Sequence, residues 1–296
     1  LRPDDYEINK DLGNTYQAVG NLSEAKNYYR KAISINNSYA PALTNLGAIE
    51  LNTEHKQEAL SLLIKANKSD PDLIPAWNNL ATAYIKLNQI EKAKDTCQKS
   101  LEINPNLFYS HYLLSCIYIE ENDLGKAEIS ARKVLKLNPN YADAHLNLCM
   151  VLKSLDQQDQ AMEFAENAIK INPNLTKAHY LLGTILHNTG RVKEAEIATR
   201  RATELNPNFL NAHLNLGVIL KELGRLKEAE EYLRIAIRID TDSSSAHSNL
   251  AHILKEENKS QESLNEYLKA ISILPEKSSN YIFVTRLLKE TKPDRF

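Results

Sequence analysis

Residues 176–209, TKAHYLLGTILHNTGRVKEAEIATRRATELNPNF, contain the pattern that decides the fold of this chain. The pair Leu182-Gly183 recurs along the sequence, as LG, LA, LS or LC, at intervals of 34 residues without insertion or deletion. The pairs begin at Leu12, Leu46, Leu80, Leu114, Leu148, Leu182, Leu216 and Leu250. A fixed period of this length indicates a repeat protein, in which each unit packs on its neighbours.

The pairs define eight repeats, at 6–39, 40–73, 74–107, 108–141, 142–175, 176–209, 210–243 and 244–277. Apolar residues at repeat positions 4, 7, 8 and 11, and again at 17, 20, 24, 27 and 28, recur at helical intervals. Position 15 is Gly or Asn in six repeats, which suits a left-handed helix end, and the prolines at position 32 cannot continue a helix. Each repeat is therefore predicted to be two helices joined by a short turn.

These positions resemble the tetratricopeptide repeat family, whose pattern is W-x2-L-G-x2-Y, then A-x3-F, then P. Trp77 and Tyr84 match it in the third repeat, and Leu12, Gly13 and Tyr16 match it in the first. The resemblance extends over nearly the whole chain. It implies an all-α, right-handed superhelical solenoid of eight helical hairpins, with the first helices lining a concave groove.

Both ends of the sequence continue the repeat pattern. Residues 1–5 resemble the end of a preceding repeat, so we expect the sequence to be an excerpt from a longer protein. Residues 278–292 are predicted to form a capping helix over the last apolar face, followed by a tail at 293–296. The residues expected to continue the apolar stripe are Tyr281, Val284, Leu287 and Leu288.

Composition argues against several classes of protein. Lys and Arg (36) nearly balance Asp and Glu (38), and a net charge of −2 argues against a nucleic-acid partner. No apolar run reaches the length of about 18 residues that a membrane span needs. Three cysteines without a CxxC pair favour a reducing compartment, so we expect a cytoplasmic location. No nucleotide-binding, hydrolase or metalloprotease motif occurs, so we predict no catalytic residue, no enzyme activity and no cofactor in this chain.

Histidine occupies position 4 in five consecutive repeats, at His111, His145, His179, His213 and His247. Neighbouring repeats lie about 8–10 Å apart, whereas two nitrogens on one zinc ion lie within roughly 4 Å of each other. Position 4 is also the family's Trp position, so we predict structural packing and no metal site. Cys116 and Cys149, at positions 9 and 8, are predicted to be buried, unreactive thiols.

Asparagine recurs at position 6, which in the family commonly contacts ligand. The column resembles the asparagine ladder in the helical repeats of O-linked N-acetylglucosamine transferases, where it clamps the backbone of an extended peptide. An amide offers a donor and an acceptor, as a peptide bond does. The alternative is that these amides bond to a neighbouring repeat. Leu113 and Leu181 interrupt the column, whose asparagines are Asn45, Asn79, Asn147, Asn215 and Asn249.

Two further sets complete the predicted groove. Its middle is apolar and its C-terminal half basic, which suits a ligand with a few apolar anchors and an acidic stretch. The alternative is a solvated face with paired charges, since Glu222 and Glu256 lie beside the lysines. The predicted contacts are Tyr109, Tyr112 and Tyr180 in the middle, and Lys153, His187, Lys221 and Lys255 in the basic half.

Together these features predict a protein–protein interaction scaffold that binds a protein or extended peptide in its groove, with no nucleic-acid or membrane partner. A second hypothesis makes the repeats the substrate-recognition arm of a larger enzyme, such as a glycosyltransferase, whose catalytic domain lies outside this chain. A third is self-association through the open ends or edges of the solenoid.

Overall fold

The computed structural model describes residues 4–275 and 279–291, and the side chains of residues 4–275 and 281–287. All regular secondary structure in these residues is α-helical, and none of the described helices is both long and apolar enough to cross a membrane. The predicted tail at 293–296, residues 1–3 of the expected repeat fragment and the side chain of Leu288 lie outside the described residues.

The first of two compact units, Leu1–Pro139, consists of four helical hairpins in its described residues. Each hairpin corresponds to one 34-residue repeat, and each second helix packs against the first helix of the next hairpin. The helices are α1 (Tyr6–Ala18), α2 (Leu22–Ile35), α3 (Ala40–Glu50), α4 (Lys56–Ser69), α5 (Ile74–Lys86), α6 (Ile90–Ile103), α7 (Phe108–Glu120) and α8 (Leu124–Leu137).

The second unit, Asn140–Phe296, consists of four more hairpins and a final helix in its described residues. The predicted all-α fold of eight successive hairpins with a terminal helix is therefore confirmed. The helices are α9 (Ala142–Ser154), α10 (Gln158–Ile171), α11 (Thr176–Asn188), α12 (Val192–Leu205), α13 (Leu210–Glu222), α14 (Leu226–Ile239), α15 (Ser244–Glu256), α16 (Ser260–Ile273) and α17 (Ser279–Thr291).

The two helices of a hairpin approach most closely where position 8 meets position 24. A Cβ atom added to Gly217 would lie 2.7 Å from Cγ of Leu233, so only glycine fits opposite this leucine. In the fifth repeat position 8 is Cys149, and position 24 is correspondingly the small Ala165; both are fully buried. The two positions are thus matched in size within a repeat.

The turn inside each hairpin depends on position 15, which adopts positive φ in seven repeats. Asp156 has φ 59°, so the fifth repeat uses aspartate where Gly and Asn were the residue types expected. The second repeat carries Glu54 there, and its first helix, α3, has 11 residues where α5 has 13. The residues with positive φ are Gly20, Asn88, Asn122, Asp156, Gly190, Gly224 and Asn258.

A buried carboxylate ends this shorter helix. Glu50 occupies position 11, where the other repeats carry Tyr or Leu, and its side chain is fully buried. Its Oε1 lies 2.8 Å from Nη2 of Arg30 and 3.4 Å from Nζ of Lys26, both on α2. The Thr53 hydroxyl lies 3.1 Å from Oε2. Glu50 therefore joins the second helix of the first repeat to the irregular turn of the second.

The terminal helix α17 packs against α16, as a capping helix would. Val284 and Leu287 are buried in a cluster with Ala251 and Tyr267, as their position in the apolar stripe predicts. Tyr281 is 45% exposed and is not part of this cluster.

Candidate functional site

Within each unit, successive first helices contact one another. In the first unit α3 contacts α5, and α5 contacts α7; in the second, α9, α11, α13 and α15 contact each other in order. We call the two surfaces that these helices form the first-helix faces. Every predicted groove residue belongs to one of these helices: Asn45, Asn79, Tyr109 and Tyr112 in the first unit, and Asn147, Lys153, Tyr180, His187, Asn215, Lys221, Asn249 and Lys255 in the second.

Two of the ladder amides bond to the preceding repeat. Asn45 donates from Nδ2 to Oδ1 of Asn14 at 2.8 Å, and Asn215 donates from Nδ2 to Oγ1 of Thr184 at 3.4 Å. Both acceptors occupy position 9 of the repeat before. The Thr184 hydroxyl itself donates to the carbonyl of Tyr180 at 2.9 Å, which leaves its lone pairs for Asn215. These two asparagines therefore join neighbouring repeats, as the alternative interpretation expects.

Asn79 and Asn249 are placed differently. Position 9 of the preceding repeat is Ala48 in one case and Val218 in the other, so neither offers a side-chain acceptor. Both amides are half-buried, and within residues 4–275 no hydrogen bond reaches either side chain. Asn249 lines a cavity of about 30 Å³ together with Lys221, which is room for a small polar group or a water molecule. Both amides can therefore bond to a ligand.

The remaining members of the column contribute little exposed surface. Asn147 is 6% exposed, and the two leucines that interrupt the column, Leu113 and Leu181, are 6% and 9% exposed. Leu113 packs in a buried cluster with Cys97. A ligand on the first-helix face would thus meet isolated amides, not a continuous ladder.

The three tyrosines of the predicted apolar middle are half-buried. The rings of Tyr109 and Tyr112 have centroids 5.7 Å apart, and both pack on the cluster that contains Cys97. Tyr180, in the second unit, meets Phe209 edge to face at 5.2 Å. Their buried parts are fixed by these contacts, and their exposed parts offer apolar surface to a partner.

Two of the predicted basic residues are paired with carboxylates. Nε2 of His187 lies 3.0 Å from Oε2 of Glu222, and Nζ of Lys221 lies 4.0 Å from Oε1 of Glu256. In each pair a basic residue at position 12 meets a glutamate at position 13 of the following repeat. The paired-charge alternative therefore describes this part of the face.

An aromatic cluster at the C-terminal end of the second face was missed in the sequence. Phe283 of α17 lies edge to face with His252 at 4.7 Å and stacks on Tyr267 at 5.4 Å, and Nζ of Lys255 lies 5.8 Å from the Phe283 centroid. If α17 is numbered as a ninth first helix, Phe283 occupies position 6 and His252 position 9 of the repeat before. The repeat pattern was extended past residue 277 for the apolar stripe alone, and reading position 6 of the same extension identifies this pair.

The histidine column has a structural role. Nε2 of His213 lies 2.8 Å from the carbonyl oxygen of Pro207, and His111 and His179 bond to the residue six positions earlier in the same way. Trp77 donates its indole N–H to the carbonyl of Pro71 at 2.6 Å, so these histidines replace the family's tryptophan. Among the described residues, no group of three or more His, Cys, Asp or Glu side chains is arranged to hold a metal ion.

The cysteines differ in exposure. Cys97 and Cys149 are buried, and burial raises the pKa of each thiol to about 12, so both remain protonated near neutral pH. Cys116 is half-buried, so the expectation that it would be buried is wrong. Position 9 is half-buried in this repeat, whereas position 8 is buried there, at Ser115, and in the next repeat, at Cys149.

Profiles of the tetratricopeptide repeat match most of the chain. The second repeat, 40–73, lies outside the matched ranges, and it is the repeat in which the turn and α3 differ from the others. The matched residues are 8–39, 74–107, 108–141, 142–175, 176–209, 198–231 and 244–277, which together exceed half of the chain.

Solved structures with the same fold include the APC/C hetero-tetramer Cut9-Hcn1, at 15% identity and a TM-score of 0.73 over 90% of this chain. This chain spans 52% of that one, about half its length. YrrB, described as a TPR protein with an unusual peptide-binding site, is 28% identical with a TM-score of 0.50, over 62% of this chain and 95% of its own. A tetratricopeptide repeat protein from Parabacteroides merdae is 20% identical with a TM-score of 0.63, over 84% and 98%. A comparison with curated proteins gave no match.

Proposed function

The chain belongs to the tetratricopeptide repeat family, and from this premise we propose that it is a non-catalytic scaffold that binds an extended peptide segment of a partner protein along its first-helix faces. Proteins of this family bind protein partners, so a general interaction role follows from membership. The peptide, and the side chains that hold it, are the specific part of the proposal.

The observation that carries the proposal is the pair of available amides, Asn79 and Asn249. A half-buried amide without a hydrogen-bond partner is costly unless water or a ligand satisfies it. An extended peptide presents one donor and one acceptor per residue, and an asparagine side chain bonds to both. Such contacts recognise the backbone of the ligand and place few demands on its sequence.

Exposed parts of the tyrosines supply apolar contacts beside these amides. In the first unit Tyr109 and Tyr112 lie on α7, one hairpin beyond Asn79 on α5. In the second unit Tyr180 lies on α11, two hairpins before Asn249 on α15. Aromatic residues with one buried and one exposed side are common anchors at protein interfaces because they lose little conformational entropy on binding.

YrrB supports a peptide as the ligand. It is 28% identical to this chain, and its structure is described as having an unusual peptide-binding site. The comparisons do not favour the alternative of a recognition arm for a glycosyltransferase, so the interaction scaffold is the function preferred here.

The test uses an array of random 15-residue peptides and the full chain. Binding is measured for the wild type and for a variant that carries Asn79→Ala and Asn249→Ala. Loss of one or two backbone hydrogen bonds should weaken binding about five- to tenfold across most bound peptides. Unchanged binding would exclude these amides as peptide contacts.

Two controls separate binding from folding. Asn27→Ala with Asn265→Ala changes two exposed asparagines on the second helices α2 and α16, and should leave peptide binding unchanged. Asn45→Ala with Asn215→Ala removes the two amides that bond to neighbouring repeats, and should lower the unfolding midpoint in urea more than it affects peptide affinity.

A further inference from the structure

Basic residues at position 12 of the second unit follow a pairing rule. Where position 13 of the next repeat is a described glutamate, the basic side chain meets it: His187 with Glu222 at 3.0 Å, and Lys221 with Glu256 at 4.0 Å. The glutamates are the last residues of α13 and α15, which places them beside the end of the preceding first helix. Each of these two basic side chains therefore already faces a carboxylate, which competes with a carboxylate of a ligand.

Lys153 is the exception among the three position-12 residues that are followed by a complete repeat, His187 and Lys221 being the other two; Lys255, in the last repeat, lies 5.8 Å from the centroid of the Phe283 ring. Lys153 occupies position 12 of the fifth repeat, but position 13 of the sixth repeat is Asn188, the last residue of α11. Among the described residues, no ion pair or hydrogen bond includes the Lys153 side chain. Lys153 is half-buried on α9, the helix that also carries the ladder residue Asn147. Partial burial without a partner carbonyl or carboxylate favours binding of an external anion.

We propose that Lys153 is the specificity-determining cation of this face, and that it contacts a carboxylate, from Asp, Glu or a chain end, in the bound peptide. The inference rests on the proposed function, since it assigns one residue of the peptide ligand. It also reassigns the basic half of the groove: selection of acidic residues belongs to Lys153, while His187 and Lys221 already face glutamates and Lys255 lies near the Phe283 ring. An exposed or half-buried charge pair of this kind changes affinity about two- to fivefold.

The repeat numbering itself supplies the matched variants. Asn188→Glu places a carboxylate where Glu222 and Glu256 stand on the later helices, and should neutralise Lys153 while keeping the lysine. Glu256→Asn makes the converse change and should release Lys221. Lys153→Met and Lys221→Met remove one ammonium group each and keep the apolar stem.

The same array of random 15-residue peptides tests the inference. For the wild type, the bound peptides should be enriched in Asp and Glu. Lys153→Met and Asn188→Glu should lose that enrichment and still bind neutral peptides, and Lys221→Met should retain it. One bound acidic peptide and its Glu→Gln counterpart then give affinities: the difference should be about two- to fivefold for the wild type and close to none for Lys153→Met.

The outcomes separate the two proposals. Equal loss of acidic selection in Lys153→Met and Lys221→Met, or no loss in Lys153→Met, would overturn the assignment of Lys153 and leave peptide binding intact. Wild-type binding without any acidic enrichment would do the same. If no peptide on the array binds the wild type, the proposed function fails and the assignment fails with it. Circular dichroism of each variant confirms that helicity is retained.

Discussion

Gly217 and Leu233 set how closely the two helices of the seventh hairpin pack. Because an added Cβ at residue 217 would lie 2.7 Å from Cγ of Leu233, the leucine or the helix has to move. We expect Gly217→Ala to lower the free energy of unfolding by about 1–3 kcal/mol, in spite of the roughly 1 kcal/mol that alanine gains in helix propensity.

Gly125 is the control for this prediction. It lies in the first turn of α8 with no atom within 4 Å of an added Cβ, so Gly125→Ala should raise the free energy of unfolding by about 0.4–1 kcal/mol. Urea unfolding of the two variants gives the comparison. If the free energy of unfolding changes in the same direction in both variants, helix propensity, and not the fit of positions 8 and 24, determines the effect at both sites.

His213 makes part of the stability depend on pH. Burial lowers its pKa below 6.5, so the folded protein favours the neutral ring that donates to the Pro207 carbonyl. Between the lowered pKa and that of the unfolded chain, the unfolded chain binds more protons. The stability that the neutral His213 ring contributes is fully present above about pH 6.5, the pKa of a histidine in the unfolded chain. It is lost as the pH falls from there through the lower pKa of the folded protein.

The expected result is a fall in unfolding free energy from pH 7 to pH 5, and a smaller fall in His213→Phe, which cannot titrate and keeps an aromatic ring. Burial lowers the pKa of His111 in the same way, so part of the fall remains. His55, which is exposed, supplies the control: His55→Gln should behave as the wild type does. Parallel pH profiles for His213→Phe and the wild type would contradict this account.

The column of asparagines could be predicted from the sequence, but which of their side chains bond to the preceding repeat was not predicted. Repetition every 34 residues identified Asn45, Asn79 and the others at once. Whether such an amide is available depends on position 9 of the repeat before, which is polar before Asn45 and apolar before Asn79. The residue at position 9 can be read from the sequence, but comparing position 6 alone across the repeats does not take it into account.

Between elements, α2 and α3 are joined by a buried carboxylate. Glu50 is fully buried, whereas Lys26 and Arg30 remain partly exposed and hydrated. Removing both cations with Lys26→Met and Arg30→Met leaves the carboxylate buried without its charge partners, which should lower the free energy of unfolding by about 3 kcal/mol.

The rescue experiment distinguishes the charge from the packing. Glu50→Gln, added to the double variant, removes the unpaired charge and should restore a large part of the loss in urea unfolding. If the triple variant is as unstable as the double variant, the lost stability comes from the methylene contacts of Lys26 and Arg30.

Helix boundaries follow from local rules in most repeats. Pro and the position-15 residues predicted where helices end, since Gly, Asn and Asp tolerate positive φ. In the second repeat Glu54 does not suit that conformation, and the sequence shows only that the usual turn is absent. The end of α3 at Glu50 depends on contacts with α2, which are tertiary and therefore escape a local rule.

Across the chain, the repeat period was sufficient to predict an all-α fold of eight hairpins, because each hairpin reproduces the same contacts with its neighbours. The charge of the first-helix faces was harder to predict, because it depends on pairs formed between successive repeats. Counting lysines along position 12 indicated a basic surface. Among the described residues, His187 and Lys221 meet glutamates and Lys255 lies 5.8 Å from the Phe283 centroid, which leaves Lys153 as the position-12 lysine without such a contact.

The central claim is that peptide segments bind the first-helix faces through the available amides. The most direct test is an NMR titration that follows the side-chain NH₂ signals of the asparagines. The probe is a peptide selected from the array. We predict that the signals of Asn79 or Asn249, depending on the unit the peptide occupies, shift on binding, while those of Asn27 and Asn265 on the second helices stay in place. Shifts at Asn27 or Asn265, with Asn79 and Asn249 unmoved, would contradict the account.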